Sequence, residues 1–510
     1  MHAAASAQVH FALAALRDNL SMHAFTWALA AALVSAAPGA LAQDALAPAV
    51  QAALASAGVG TQDFAAVAVP LHRWQRPWAH RANVPMQPGS AMKLVTAVVA
   101  LDTLGIAHAG RTRLLSNAPL EAGVLAGDLV LQGGGDPDFS VAQLWQLLVK
   151  LRDGGVTTIT GDLLLDRERY RPARLDIGEP PFDSRPEGWW NVTPDALLLE
   201  GGLQPVEMVS DASRVTARLM PAVLGVRVDT SQLRLSDGSC ANWDEQWVTP
   251  RVSDTPEGVV VTLQGAFPRQ CRRVEEMQVV DRSRYAGLMF AQIWRELGGR
   301  FDGRVREAAA PTGARVLAER RAQPWGEVLR PVIKTSDNTL TRLLFLELGV
   351  PGMAAAPQAR TLDLARAAVL RWFESKGIAA PGLVVDNGSG LSRQERITPT
   401  TLARMIEWAW RSRHAPDLMM SLPVAGVDGT LRNRLKDSPA AGWGRLKTGT
   451  LRNVAALAGV AYDNEGRPWA VALMVNHEIG SAARPVLDAF IDDFARHGPY
   501  RLQAAPAEGH

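Results

Sequence analysis

Hydrophobic and polar positions change rhythm twice along this chain. Phe64 to Pro70 is a short apolar run, a strand candidate. A turn region rich in Trp, Pro and His follows. Leu94 to Leu104 is then mostly apolar and stops at Gly105, which predicts a buried helix whose N-terminal edge holds Pro88-Gly89-Ser90-Ala91-Met92-Lys93. From about Arg111 to Val305 the texture shifts to short β-like runs such as Leu129-Val130-Leu131-Gln132, punctuated by turns such as Gly133-Gly134-Gly135-Asp136-Pro137. One amphipathic helix interrupts them, from about Val141 to Arg152, with Leu144, Leu147, Leu148 and Leu151 at helical spacing. In the last third, helical segments (Leu362 to Lys376, Pro399 to Arg411) alternate with strands. Val454 to Tyr462 and Trp469 to Asn476 flank the turn Asp463-Asn464-Glu465-Gly466 as an antiparallel pair. A closing amphipathic helix, about Ser481 to Arg496, completes an α/β sandwich pattern. No short repeat or long low-complexity linker breaks it.

Composition narrows the function classes. The 510 residues suffice for two or three domains, and 47% apolar with 20% charged residues is ordinary globular usage. Basic residues (53) nearly cancel acidic ones (51), so no overall field argues for nucleic acid or an anionic surface. Lysine is scarce: only Lys93, Lys150, Lys334, Lys376, Lys436 and Lys447 occur.

Residues 1–42 read as an export signal, with Ala24 to Val34 as its apolar core and Ala40-Leu41-Ala42 as the small-residue cleavage pattern before Gln43. Met22 is the more compact start, and a buried N-terminal helix is the plain alternative. The apolar run is too short for a convincing membrane span, which leaves peripheral membrane association open. In an oxidising compartment Cys240 and Cys271 are expected to form one structural disulfide; the alternative is two unrelated buried thiols.

Ser90 and Lys93 are three apart, so on a helix their side chains share a face and the lysine amine reaches the serine hydroxyl. Alone, that spacing also fits ordinary surface dressing. Two further motifs change its weight. Ser336-Asp337-Asn338 introduces the apolar segment Leu340 to Leu348, and Lys447-Thr448-Gly449 sits just before the strand pair. Ser-x-x-Lys, Ser-Asp-Asn and Lys-Thr-Gly, in that order, form a serine acyl-enzyme signature of β-lactamases and penicillin-binding proteins.

On these motifs the chain resembles the class C, low-molecular-mass penicillin-binding proteins, the D-alanyl-D-alanine carboxypeptidase/endopeptidase family of peptidoglycan maturation. Asp386-Asn387-Gly388-Ser389-Gly390-Leu391-Ser392-Arg393 and Gly426-Val427-Asp428-Gly429-Thr430-Leu431 are similar to family loops, and Gly133 to Pro137 to the lead-in to the family's inserted domains. By themselves these glycine-rich stretches read as tight turns. The resemblance implies an α/β fold: a transpeptidase-like (β-lactamase-like) α/β sandwich carrying two smaller inserted β-rich domains. The catalytic domain is expected at 43–110 and 306–510, one insertion at 111–138 and 229–305, and a second, nested insertion at 139–228. Two departures stand out: Pro88-Gly89-Ser90 replaces the family's Pro-Ala-Ser, and an acidic residue common after Ser-Asp-Asn is replaced around Thr341-Arg342.

The resemblance also implies roles. Ser90 is the nucleophile, and Lys93 its base, with a pKa lowered by burial, the helix dipole and Lys447. Ser336 and Lys447 relay a proton to the leaving amine. Asn338 holds the substrate amide, while Thr448, Gly449 and Thr450 line the place of the terminal carboxylate. Backbone N–H groups of Ser90 and Thr450 receive the oxyanion. Asp166 either reaches toward a diaminopimelate ammonium or simply ends a strand. Arg393 is a second substrate-binding candidate, and Asp337 reads as a helix cap.

Peptidoglycan stem peptides and β-lactam antibiotics are the implied partners, in an exported, periplasmic setting, with no cofactor, no metal and no nucleic acid. His477-Glu478 lacks the second histidine of a metalloprotease helix. Trp189 and Trp190 suggest packing or a ligand rim, and the sequon at Asn191 is incidental. A serine β-lactamase is the nearest rival, opposed by chain length, by the inserted region and by Ser336 where class C β-lactamases carry Tyr-x-Asn. A non-catalytic cell-wall binding or β-lactam-sensing protein is the other, opposed by intact Ser90, Lys93, Ser336, Asn338 and Lys447.

Overall fold

The computed structural model describes residues 44–72 and 75–499; the expected export signal lies outside them. Five antiparallel strands form the central sheet, in the order Arg445–Leu451, Val454–Tyr462, Pro468–Asn476, Phe64–Pro70, Trp78–His80. The first long strand of the chain thus pairs with the last, Val67 opposite Ala472. Phe64–Pro70 is buried at every position, and Val454–Tyr462 and Pro468–Asn476 nearly so. Burial on both faces is why these strands read as continuous apolar runs and not as alternation.

Helices Pro48–Ala57 and Arg484–His497 cover one face, where Val50, Leu54, Leu487 and Ile491 pack with Phe64, Leu457, Trp469 and Leu473. The opposite face carries Pro399–Arg411 and the 3-10 turn Gly89–Met92, which leads directly into Lys93–Thr103. That helix is buried from Lys93 to Leu101. Asn338–Glu347, Thr361–Ser375 and Pro399–Arg411 pack around it, so it is apolar on every side. This is the expected α/β sandwich.

The inserted region is β-rich as expected, but its chain segments are partitioned differently. Leu163–Asp166 pairs in parallel with Leu129–Gln132, and a parallel pair needs a crossover. Val141–Asp153, capped by Ser140, supplies it, so residues 139–166 belong with the first insertion and not with the nested one. The nested part is built from Gln204–Met277, as two three-stranded sheets. The return expected at 306 comes later, because Val305–Glu307 pairs with Leu163–Asp166 and Arg315–Arg321 with Arg111–Ser116. Cys240 and Cys271 are joined, their Cα atoms 5.4 Å apart. Among the described residues no helix is long and apolar enough to cross a membrane.

Candidate active site

Three elements meet at Ser90. The first is its own turn, where Ser90 is partly exposed and Lys93, the first residue of the following helix, is fully buried. Lys93 Nζ lies 3.1 Å from Ser90 Oγ and donates to Asn338 Oδ1 at 2.6 Å and to the Ser389 carbonyl at 2.5 Å. The second is the junction of two helices. Trp325–Thr335 ends at Ser336, which takes the left-handed conformation (φ +66°) as its C-cap, and Asp337 caps Asn338–Glu347 by accepting from the Leu340 N–H at 2.8 Å. A chain that stops one helix and starts another within two residues turns Ser336 and Asn338 toward the nucleophile. The third is the edge strand, whose buried Lys447 donates to Ser336 Oγ at 2.9 Å and to the Thr448 carbonyl at 2.8 Å.

Glycines allow this convergence. A Cβ on Gly449 would lie 2.2 Å from the Pro88 carbonyl, so only glycine lets the strand touch the nucleophile turn. At Gly89, φ is +51° and a Cβ would lie 2.9 Å from the Thr450 nitrogen, which accounts for Gly where the family has Ala. The same closeness brings the Thr450 N–H beside the residue preceding Ser90. Thr448 Oγ1 donates to Thr430 Oγ1 at 2.8 Å, and Thr450 Oγ1 accepts from Arg484 at 3.4 Å.

Burial pulls the Lys93 amine down to about 7; Arg342 adds to the shift, while the carboxylates of Asp337 and Glu395 oppose it. Lys447 also falls well below the usual lysine range, first through burial and then through repulsion by Lys93. Desolvation is the largest cause for both; the repulsion falls on Lys447, and the expected lowering of Lys93 by Lys447 is not among the causes of the Lys93 shift. With the neutral Lys93 amine as the expected base, acylation should drop with falling pH below about 7, up to tenfold per unit, and level off above it. Penicillin acylation rates across pH measure this directly.

Glu395 was not singled out by sequence. It is fully buried and accepts the backbone N–H groups of Asp386, Asn387 and Gly388 at 3.2, 3.1 and 2.8 Å. It thereby shapes the loop whose Ser389 carbonyl holds Lys93, and burial pushes its own carboxyl up to about 7. Glu395→Gln removes a negative charge near Lys93, so the acid limb of the acylation profile should move to lower pH. A limb that stays in place would show that the two groups are not coupled.

The inserted region also reaches the site. Asn338 Nδ2 donates to the Trp190 carbonyl at 3.3 Å, and Arg342 donates to the Val192 carbonyl and to Thr193 Oγ1 at 3.0 and 3.1 Å. The residue that departs from the family pattern thus ties the helix Asn338–Glu347 to the insertion. Arg393 lies 4.6 Å over the Phe182 ring and lines a cavity of about 830 Å³ with Gln87, Leu451, Arg452 and Glu478.

Asp166 is not brought to this cluster, contrary to the reading that aimed it at substrate. It is buried within the inserted sheet, accepting from Gln132 Nε2 at 2.8 Å and from the backbone of Glu168 and Ala310 at 2.9 and 3.0 Å. The acid of the insertion that follows Phe182 is Asp183, held by Trp190 Nε1 and Asn191 Nδ2 at 2.9 and 2.8 Å. Trp190 and Asn191 therefore act as a scaffold for the segment that borders the cleft.

Comparisons agree with this geometry. The family model described as D-Ala-D-Ala carboxypeptidase 3 (S13) matches residues 46–497. A D-alanyl-D-alanine carboxypeptidase of Actinomadura sp. (strain R39) is 30% identical over 446 residues, 83% of this chain and 80% of the relative. Penicillin binding protein 4 from Haemophilus influenzae is similar in structure, with a TM-score of 0.71 at 25% identity over 84% of this chain and 95% of that one. The same protein complexed with a β-lactam gives a TM-score of 0.68 at the same identity and coverage. A buried lysine beside a serine, joined by Ser-Asp-Asn and Lys-Thr-Gly over a matching fold, places this chain in the D-Ala-D-Ala carboxypeptidase 3 (S13) family of serine hydrolases.

Proposed function

We propose that the chain is an exported, periplasmic D,D-peptidase that cleaves peptidoglycan stem peptides through a Ser90 acyl-enzyme and is acylated by β-lactams at the same serine. The observation that carries this reading is the fully buried Lys93 amine, lowered to about 7, at 3.1 Å from Ser90 Oγ. A neutral amine in that position takes the hydroxyl proton as Oγ attacks the carbonyl of the penultimate D-alanine. Backbone N–H groups of Ser90 and Thr450 receive the developing oxyanion. The C–N bond then breaks, and the departing amine collects a proton through Ser336 and Lys447. Water attacks the Ser90 ester, releasing the shortened peptide and restoring the hydroxyl.

Asn338 holds the substrate amide in this scheme, and Thr448 and Thr450 meet the terminal carboxylate. That carboxylate stabilises an ammonium at Lys447, which burial and Lys93 otherwise disfavour. Arg393 lines the cavity on the acyl side of the cleft. Mass spectrometry of purified pentapeptide muropeptides incubated with the protein tests the reading: release of the terminal D-alanine supports it. No release at any pH, with no penicillin adduct, rejects it.

A further inference from the structure

The cleft continues past Lys447 onto an exposed apolar shelf, and we propose that this shelf, made of Trp443 and Val427, binds the departing stem peptide of a cross-linked peptidoglycan substrate. The inference rests on the D,D-peptidase reading above and extends it to a substrate class.

Arg445–Leu451 is an edge strand, flanked in the sheet only by Val454–Tyr462. Along part of its free side runs the segment from Val424 to Thr430. Leu446 N–H donates to the Pro423 carbonyl at 2.9 Å, Ala425 N–H to Gly444 at 3.0 Å, and Thr430 meets Thr448 through the hydroxyl pair. This segment is therefore continuous with the catalytic cleft at Thr448. Its exposed side carries Val427, 56% exposed, and the turn before the strand carries Trp443, 65% exposed. Trp443 is steadied against Tyr462, with ring centroids 5.8 Å apart, but its remaining surface faces water.

Position along the strand decides what such a shelf can touch. In that reading Lys447 and Thr448 take the carboxylate of the departing residue, and the acyl part runs the other way along the strand, toward Leu451 and the cavity that Arg393 lines. Whatever is attached to the leaving amine beyond that carboxylate must lie toward Arg445 and Trp443. The strand from Lys447 back to its first residue, Arg445, already spans about 7 Å, and the turn that carries Trp443 lies beyond it. One residue spans at most about 3.6 Å, so a single departing D-alanine ends far short of the shelf. An amine carried by the side chain of a second stem peptide brings a whole chain into reach. Alternation puts Arg445 on the Lys447 face between them, a cation on the path of a peptide that bears carboxylates. The nearby acid Asp428 is already paired with Lys334 at 2.5 Å, so it opposes that ligand little.

The test compares kcat/KM for a cross-linked muropeptide dimer and a pentapeptide monomer in the full protein and in Trp443→Ala and Trp443→Phe. For Trp443→Ala the dimer-to-monomer ratio should fall roughly tenfold, as expected for truncating a central aromatic contact, and Trp443→Phe should restore most of it. An unchanged ratio overturns the proposal, whether both substrates slow equally or neither slows. So does loss of binding to anionic phospholipid vesicles by Trp443→Ala with the ratio intact, which would make the patch a membrane contact. A wild-type protein that cleaves the monomer but not the dimer overturns the shelf alone; one that cleaves neither overturns the D,D-peptidase reading itself.

Discussion

Ser90→Ala protein should remain folded and carry no covalent adduct after incubation with penicillin. The side chain is partly exposed at the end of a buried turn, and alanine fits the same backbone, so only the hydroxyl is lost. What remains, oxyanion donors and binding groups, cannot form an ester. Turnover of D-alanyl-D-alanine peptides should fall by at least about four orders of magnitude, as in other serine acyl-enzymes stripped of their nucleophile. Intact mass spectrometry reads the adduct directly, and a variant that still gains one penicillin overturns the nucleophile assignment. On the wild-type protein the same measurement over time separates the remaining rival: a lasting adduct marks a peptidase trapped by the drug, a rapidly vanishing one a β-lactamase.

Lys447→Ala should slow acylation by roughly a hundredfold to a thousandfold although Ser90 and Lys93 are untouched, the range for removing a group aimed at transition-state charge. Lys447 is buried, and its amine joins Ser336 to the Thr448 carbonyl. In the mechanism proposed above, its loss leaves the departing amine without a proton relay and the substrate carboxylate without its cation. The acid limb of acylation should stay near pH 7, because burial, Asp337, Glu395 and Arg342 set the Lys93 amine and Lys447 is not among its causes. Stopped-flow labelling at several pH values checks both. Unchanged labelling rates would refute a role for Lys447 in acylation.

The candidate site was legible because its motifs coincide with secondary-structure boundaries. Ser90 and Lys93 straddle a helix start, Ser336 and Asn338 lie on either side of a helix break, and Lys447 rides an edge strand. Apolar runs at Phe64–Pro70 and Val454–Tyr462 marked two strands of the central sheet, though not that both its faces are covered. The insertion's boundaries were not legible, because they depend on which distant strands pair. Nothing local to Leu163–Asp166 reveals that Leu129–Gln132 is its neighbour. Asp166 failed for the same reason: an acid after three leucines ends a strand whether it faces a cleft or a sheet edge. Glu395 and the segment from Phe182 to Thr193 lie in irregular chain without periodicity, and their roles arise from the burial that the rest of the fold imposes.

Gln87, three residues before the nucleophile, exchanges two hydrogen bonds with Asn476: its N–H donates to Oδ1 at 2.7 Å, and its carbonyl accepts from Nδ2 at 3.0 Å, across 389 positions of chain. Loop closure on that scale is entropically costly and comes after local structure has formed. A growing chain therefore carries the serine and its lysine long before it has a cleft to hold them. Reactivity toward an acyl donor is switched on by the arrival of the final strand, so a chain truncated before Pro468 should be inert to penicillin with every motif of its chemistry still present.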